Sequence, residues 1–353
     1  MMNLHLSRYR KVIVSVVVCL VALGSIRTIM HTSSSKSNTS ASLSQKEMRT
    51  KSISQSGILP EGDSIAYYGT FNVHSDVFTD RKVQSEFIKA VKLVEPILED
   101  VSILSHTRVT GTISFGSKLW KALVEGNQQL ATAGSDLFDF PGYGKAPATQ
   151  CDLYLHIHST NQGATYDASQ RIYSMFPEGS LILGEERNGF MWRDSRDLTG
   201  FIDGTENPQG VEKRVRAALR EDGSSFVVVQ RFVHHLEKWE QLKEGEQEEV
   251  IGRKKLDSMA IEPAPAMSHV AHTDISFEGE SIKIVRHSLP YGSPGTEKGL
   301  WFTAYCKSMK HHNELQRSIY GLRDGKADSL MSYITPVSGG FYFTPSLKQI
   351  NLL

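Results

Sequence analysis

The chain has 353 residues, of which 39% are hydrophobic and 22% are charged, a composition typical of globular proteins with one or two domains. Its 39 Lys and Arg balance its 39 Asp and Glu, but residues 1–56 contain eight basic residues and one acidic residue, so the rest of the chain is acidic. Proteins that bind nucleic acid need a basic surface to neutralise phosphates, and the acidic body argues against that class.

The amino-terminal region combines a basic flank with an apolar run. Three Lys or Arg residues between positions 8 and 11 precede the mostly apolar residues 12–26, and no acidic residue occurs before Glu47. This order is typical of a signal peptide or a membrane anchor, so we expect a protein of the secretory pathway, anchored or secreted; an organellar or cytoplasmic location is the alternative. Residues 32–56 are rich in Ser, Thr and Lys, which predicts a disordered linker.

The remainder of the chain alternates helix-like and strand-like patterns. Apolar residues recur every three or four positions between Val83 and Leu98, as on one face of a helix, whereas residues 152–159 alternate as a half-buried strand does. The first half predicts strands at 64–74, 109–116, 152–159 and 180–184 and helices at 83–98, 117–124 and 165–176. The second half predicts strands at 225–235, 280–292 and 299–308 and helices at 236–242, 245–255 and 312–325.

Interleaved strands and helices of these lengths are typical of ferredoxin-like α+β units, in which helices cover an antiparallel sheet. We expect two such domains, at residues 57–189 and 190–353, after a signal or anchor segment and linker at residues 1–56.

One turn-rich stretch, GFIDGTENPQG from Gly200 to Gly210, contains a single aspartate, Asp203. Gly, Asn and Pro favour tight turns, so a surface turn is one interpretation. The other is that the turn aims Asp203 at a reactive group. The Gly-rich stretch at 292–299 lacks the Lys-Ser/Thr of a phosphate loop and predicts a hairpin connection.

Thirteen histidines are the main source of candidate metal ligands. His156 and His158 share one strand face, for which a solvated face is favoured over a metal pair. His311 and His312 open a predicted helix and are interpreted as surface residues. The cysteines Cys151 and Cys306 lie in no CxxC pair and are interpreted as buried thiols.

The segment SHVAHTD offers two further metal hypotheses. His272 and Asp274 form an HxD pair, the local half of a two-histidine, one-carboxylate iron site. His269, which follows a Pro- and Met-containing loop, is a candidate axial ligand of a haem iron.

Taken together, these motifs resemble one family. GFIDGTENP resembles the signature turn of the dye-decolorising peroxidases, and SHVAHTDISFEGESIKIVRHSLPYG is similar to their proximal-histidine segment followed by their distal arginine. EKGLWFTAYCKS and GGFYFTPSLKQI also fit. The resemblance extends from Ser56 to the carboxyl end and is closest to the compact bacterial YfeX-like branch. It implies a DyP-type dimeric α+β barrel of two ferredoxin-like domains, with haem b in the carboxy-terminal one.

On the proximal side, the resemblance implies that His269 is the axial ligand of the haem iron. A carboxylate is expected to hold the other ring nitrogen of this histidine. Asp328 is the chosen candidate for that carboxylate, and Asp324 is its rival.

On the distal side, the resemblance implies that Asp203 carries a proton and that Arg286 stabilises charge as the O–O bond breaks. Ser288 matches a distal-pocket position. Gly200 and Gly204 would let the backbone approach the porphyrin.

The implied function is a homo-oligomeric peroxidase that reduces hydrogen peroxide and oxidises phenolic or dye-like donors in one-electron steps. Trp301 and Tyr305 are candidates, by residue type, for a surface electron relay. Two alternatives remain open. A haem carrier or iron-releasing haem protein would need His269 alone, and a non-haem iron oxygenase would use His272 and Asp274.

Overall fold

The computed structural model describes residues 43–353. The predicted signal or anchor run at 12–26 lies outside these residues, so the expected targeting remains a prediction. In the part of the chain that the structure describes, no helix is both long enough and apolar enough to cross a membrane.

The strands and helices follow in chain order. The strands are β1 (Ile65–Val73), β2 (Val109–Phe115), β3 (Leu153–Ser159), β4 (Leu181–Phe190), β5 (Ser225–His234), β6 (Ser276–Phe277), β7 (Glu280–Ser281), β8 (Val285–Arg286), β9 (Leu289–Gly292), β10 (Lys298–Cys306), β11 (Ile334–Pro336) and β12 (Gly340–Thr344). The α-helices are α1 (Gln45–Ser52), α2 (Asp76–Thr79), α3 (Arg81–Ser105), α4 (Ser117–Leu123), α5 (Gln162–Met175), α6 (Val211–Ala218), α7 (Leu236–Trp239), α8 (Glu244–Ile251), α9 (His269–Thr273), α10 (Met309–Ile319) and α11 (Leu347–Leu352).

The main sheet is antiparallel and closes on itself. Its strand order is β11-β5-β12-β2-β3-β1-β4-β9-β10-β8, and β10 pairs in addition with β5. Because β5 is bonded to β12 on one side and to β10 on the other, the ladder forms a closed barrel. The predicted α+β class, with antiparallel sheet and peripheral helices, is confirmed. The boundary between two domains near residue 190 stays a prediction.

Closure of the sheet explains why some strands are buried on both faces. Every residue of β3 is buried, because its outward side chains join an apolar cluster with α3 and α5 while its inward side chains fill the barrel. Inside, the ring of Tyr68 stacks on His156 at 5.2 Å and on Trp301 at 5.3 Å between centroids. The predicted half-buried strand is therefore a strand with no solvated face.

The strand predicted at 280–292 and the helix predicted at 312–325 differ most from the structure. The run at 280–292 is broken into β7, β8 and β9, because residues 282–284 and 287–288 leave the ladder. The helix expected to end at Gly325 ends at Ile319, and Gly321 and Gly325 adopt positive φ in the turns that follow. The predicted hairpin connection is confirmed, since β9 and β10 pair on either side of it.

The expected linker differs at its carboxyl end, where α1 is helical. A capping box between Ser44 and Glu47 starts this helix. Beyond it, the buried Gln55 side chain donates to Ile113 O at 2.9 Å and Pro345 O at 2.8 Å and accepts from Ile113 N–H at 2.7 Å. This amide covers the edge of β2 at a position where β12 does not reach it.

We expect Gln55→Ala to lower the free energy of unfolding by roughly 2–3 kcal/mol, because it leaves buried backbone groups of Ile113 unpaired. Denaturant unfolding of the full chain measures this change. Gln170→Ala, which removes an exposed amide from α5, is the matched control. Equal losses in the two variants would contradict the edge-covering role.

Candidate active site

The imidazole of His269 is held by a buried carboxylate. Its Nδ1 lies 2.6 Å from Oδ2 of Asp328, whose side chain is 0% exposed, while the His269 side chain is 29% exposed. The carboxylate accepts, so Nδ1 carries a proton and Nε2 is the nitrogen left for a metal. Among residues 43–353, no group hydrogen-bonds this Nε2.

Backbone geometry fixes both partners of this pair. Ser268 caps α9 through a bond from Ala271 N–H, so His269 begins the helix. Asp328 precedes a 3₁₀ turn, where its Oδ1 accepts from Leu330 N–H at 2.8 Å. The structure thus brings Asp328 to His269. The rival Asp324 is exposed and accepts instead from the N–H of Lys326.

Asp203 is held by the turn-rich stretch from Gly200 to Gly210. Its N–H donates to Ser195 O at 2.8 Å, and its Oδ1 accepts from Gly204 N–H at 2.6 Å. Gly204 has φ +79°, a conformation that a side chain disfavours. Oδ2 of Asp203 has no hydrogen-bond partner within the described residues.

Arg286 reaches the same place from β8. Its Nη2 lies 3.6 Å from Oδ1 of Asp203, and the two side chains are 20% and 27% exposed. Ser288 lies two residues on, and its Oγ accepts from Thr303 N–H at 3.2 Å. Asp203, Gly204, Arg286 and Ser288 all line one cavity of about 310 Å³.

Gly200 does not line that cavity. Its φ is +91°, and a Cβ there would meet Cε of Lys255 at 2.7 Å. The conformation and the close lysine therefore account for the glycine, and an approach to a porphyrin at this position stays a prediction.

Three histidines form another part of the cavity wall, which the sequence reasoning missed. His156 and His158 are 0% and 2% exposed and stack at 4.4 Å, and His287 packs against His158 at 4.9 Å. The solvated-face interpretation of His156 and His158 was wrong, because the closed barrel buries its inner face. Histidines at alternate positions of a strand carry no signal that the sheet closes into a barrel.

Each ring nitrogen of His158 faces a hydrogen-bond acceptor. Its Nδ1 lies 2.6 Å from Oδ2 of Asp63, and its Nε2 lies 3.0 Å from the carbonyl oxygen of Gly57. Burial would raise the pKa of Asp63, but the bonds and charges of His158 and Arg108 outweigh it and lower this pKa to about 2. Because both acceptors lack a proton, both ring nitrogens of His158 are placed to donate, the arrangement that suits an imidazolium. Burial and this neighbouring charge lower the pKa of His156 and His287 well below the usual range, so both are neutral.

Other histidine and cysteine interpretations are corrected by burial. His311 and His312 are 8% and 1% exposed, so they are core residues of α10 rather than surface residues. Cys306 is a buried free thiol as predicted, whereas Cys151 is partly exposed.

The alternative iron site is not assembled. His272 is 5% exposed, but the Asp274 side chain is 62% exposed and lies 3.4 Å from the Lys283 ammonium. Within residues 43–353, no group of three or more His, Cys, Asp or Glu is arranged to hold a metal ion. Trp301 and Tyr305, proposed as surface relays, are both 0% exposed.

The chemistry of the residues present fits a haem, and His269 lies outside the set of residues that line the cavity with Asp203 and Arg286. His269 has a free nitrogen for an iron and a buried carboxylate on the other nitrogen, which is the usual support of a metal-bound histidine. Asp203 and Arg286 place an unpartnered carboxylate oxygen and a guanidinium in one cavity. Such a pair can accept a proton and stabilise a negative charge.

Comparison with known proteins gives a consistent result. The N-terminal Dyp-type peroxidase domain model matches residues 55–191, and the C-terminal one matches residues 194–349. A dye-decolorizing peroxidase of Mycolicibacterium paratuberculosis is 33% identical over 276 residues, covering 73% of this chain and 77% of that protein. The corresponding protein of Mycobacterium tuberculosis is 35% identical over 249 residues, covering 68% and 74%.

Solved structures are similar over most of the chain. A dye-decolorizing protein from V. cholerae is 37% identical with a TM-score of 0.76, covering 84% of this chain and 98% of that one. A DypB variant from Rhodococcus jostii, solved in complex with heme, is 25% identical with a TM-score of 0.76, covering 84% and 97%.

The buried His158–Asp63 pair predicts a pH dependence. The folded pKa of Asp63, about 2, lies below its ordinary 3.8, so this carboxylate stabilises the fold above pH ~4 and the contribution is lost as the pH falls towards 2. The shift corresponds to roughly 2 kcal/mol. His158→Gln removes the larger of the two partners that lower the pKa of Asp63, so this pKa rises and the stabilisation is lost at a higher pH.

Acid unfolding of the full chain, followed by circular dichroism, measures this effect. We expect the midpoint for His158→Gln to lie at higher pH than the wild-type midpoint. His235→Gln, which alters an exposed histidine, is the control and should leave the midpoint in place. Coincident transitions for wild type and His158→Gln would contradict the assigned ion pair.

Proposed function

Since the chain belongs to the Dyp-type peroxidase family and is a haem peroxidase of the dye-decolorising type, we propose that His269 is the axial ligand of its haem iron. We further propose that the cofactor is haem b and that Asp203 and Arg286 act on hydrogen peroxide. The observation that carries the proposal is the pairing of a free Nε2 on His269 with a buried carboxylate on its Nδ1.

His269 is prepared for ligation by its partner. Asp328 keeps the proton on Nδ1 and fixes the plane of the ring, so the Nε2 lone pair has a defined direction. Both carboxylate oxygens of Asp328 are used, because Oδ1 accepts from Leu330 N–H. A bond to a carboxylate makes the imidazole a stronger donor to a metal.

When bound, the haem supplies the two-electron reduction of peroxide and passes the oxidising equivalents to electron donors. The protein groups move the proton and stabilise the charge. Oδ2 of Asp203 takes a proton from one peroxide oxygen and returns it to the other, which leaves as water. Oδ1 is already bound to Gly204 N–H, so the carboxylate cannot rotate freely. The Arg286 guanidinium stabilises negative charge on the departing oxygen.

The electron donors and the oligomeric state are inferred from the family. We propose that small phenolic or dye-like aromatic compounds reduce the haem in one-electron steps and that the protein is a homo-oligomer. A route for electrons through Trp301 or Tyr305 would have to continue to another group, because neither reaches the surface. Assignment to the YfeX-like branch and targeting through residues 12–26 also remain proposals.

The ligand assignment is tested by haem retention. We expect His269→Ala to lose haem or to bind it weakly, because the nitrogen that ligates the iron is gone. His272→Ala changes a buried histidine of the same helix and should keep the Soret band. Haem titration followed at the Soret band measures both. Haem retention in His269→Ala with loss in His272→Ala would overturn the assignment.

The distal assignment is tested by the rate of the first absorbance change after mixing haem-loaded enzyme with peroxide. Asp203→Asn keeps the shape but cannot carry the proton, so we expect a loss of ~10²–10⁴-fold. Arg286→Leu removes the cation and should cost ~10²–10³-fold.

Arg323→Leu removes a guanidinium that lies outside the cavity lining and should react as the wild type does. If Asp203→Asn and Arg286→Leu both keep their haem and react at the wild-type rate, the haem-carrier alternative becomes the better account.

A further inference from the structure

Asn207 joins the two segments that carry the distal pair. Its Oδ1 accepts from Arg286 N–H at 2.8 Å, and its Nδ2 donates to Arg286 O at 2.8 Å. Its own N–H donates to Gly204 O at 2.9 Å, within the turn that holds Asp203. Asn207 therefore connects the backbone of Arg286, through its side chain, to the backbone beside Asp203, through its own N–H.

These two hydrogen bonds have the pattern of a strand pairing. In an antiparallel ladder, the N–H and C=O of one residue face the same neighbour. Arg286 ends β8, the terminal strand of the sheet order, and directs both groups at Asn207. The carboxamide of Asn207 thus takes the place of a neighbouring strand at this edge.

The arrangement matters because the ladder of β8 is short. The strand has two residues, and its ladder with β10 consists of Arg286 opposite Ala304 and Val285 opposite Tyr305. The guanidinium of Arg286 and the carboxylate of Asp203 meet at 3.6 Å without a short hydrogen bond. Their separation therefore depends on the backbones behind them.

We propose that Asn207 is a positioning residue that sets the distance and orientation between Arg286 and Asp203. This inference rests on the proposed function for its catalytic consequence, but the two hydrogen bonds can be tested without it. A displacement of about 1 Å between reacting groups can cost on the order of 100-fold in rate. Asn207→Ala, which frees the edge of β8, is expected to slow the reaction with peroxide by roughly 10- to 100-fold.

We call the two hydrogen bonds between the Asn207 side chain and the Arg286 backbone the clamp. Amide hydrogen exchange of the full-length, haem-loaded protein tests it. Asn207→Ala should exchange the Arg286 amide faster than wild type. Asn207→Asp keeps the oxygen that accepts from this amide but sets a second acceptor against Arg286 O, so it should restore only part of the protection. Gln170→Ala is the control, because it removes an exposed amide from α5, outside the cavity lining. Unchanged exchange in Asn207→Ala would overturn the clamp.

A double-mutant cycle tests whether Asn207 acts through Arg286. The rate of the first absorbance change with peroxide is measured for Asn207→Ala, Arg286→Leu and the double variant, all with haem bound. We expect Asn207→Ala to have little further effect when Arg286 is already Leu. If Asn207→Ala lowers the rate by the same factor whether position 286 is Arg or Leu, the positioning role is overturned. A wild-type rate in Asn207→Ala would also overturn it. If wild type itself does not react with peroxide while the exchange results hold, the proposed function fails and the clamp stands.

Discussion

The hydrogen bond between His269 and the buried Asp328 fixes the imidazole that is proposed to bind the iron. Burying a carboxylate is costly unless its oxygens find donors, and here each oxygen of Asp328 has one, from His269 and from Leu330 N–H. The segments that carry the pair are also joined by Ser329 N–H to Met267 O at 2.9 Å. The imidazole is therefore fixed before any ligand arrives, and the strength of Nε2 as a donor is set by a charge that solvent does not screen.

The barrel provides a different environment for the distal groups. Its interior is filled by stacked aromatic rings, in which an unpaired charge would be strongly destabilising. The imidazolium of His158 is stable there because Asp63 and Gly57 accept both of its protons. Asp203 and Arg286, in contrast, are partly exposed to the cavity and leave one carboxylate oxygen free. The buried His158 thus has an acceptor for each ring nitrogen, whereas Asp203 keeps one carboxylate oxygen unpartnered.

Part of this arrangement was predictable from the sequence. The 3.6-residue spacing from Val83 to Leu98 predicts α3, and motif resemblance selects residues that the structure brings together, such as Asp203 with Arg286. The burial of His156 was not predictable, because alternation along a strand does not reveal that the sheet closes. Nor was the role of Gln55, since one amide covering a strand edge leaves no periodic pattern. Contacts of this kind depend on long-range pairing, such as β5 with β10, that local sequence does not encode.

In the proposed site, the charge of Asp328 makes His269 a strongly donating ligand of the haem iron. The most direct measurement is the Fe(III)/Fe(II) midpoint potential of the haem in full-length wild type and in Asp328→Asn. Asparagine keeps the size and an oxygen acceptor but removes the negative charge, so the account predicts a higher potential in the variant. Asp324→Asn alters the exposed neighbouring carboxylate and should leave the potential unchanged. Equal potentials in wild type and Asp328→Asn, with haem bound in both, would contradict the account.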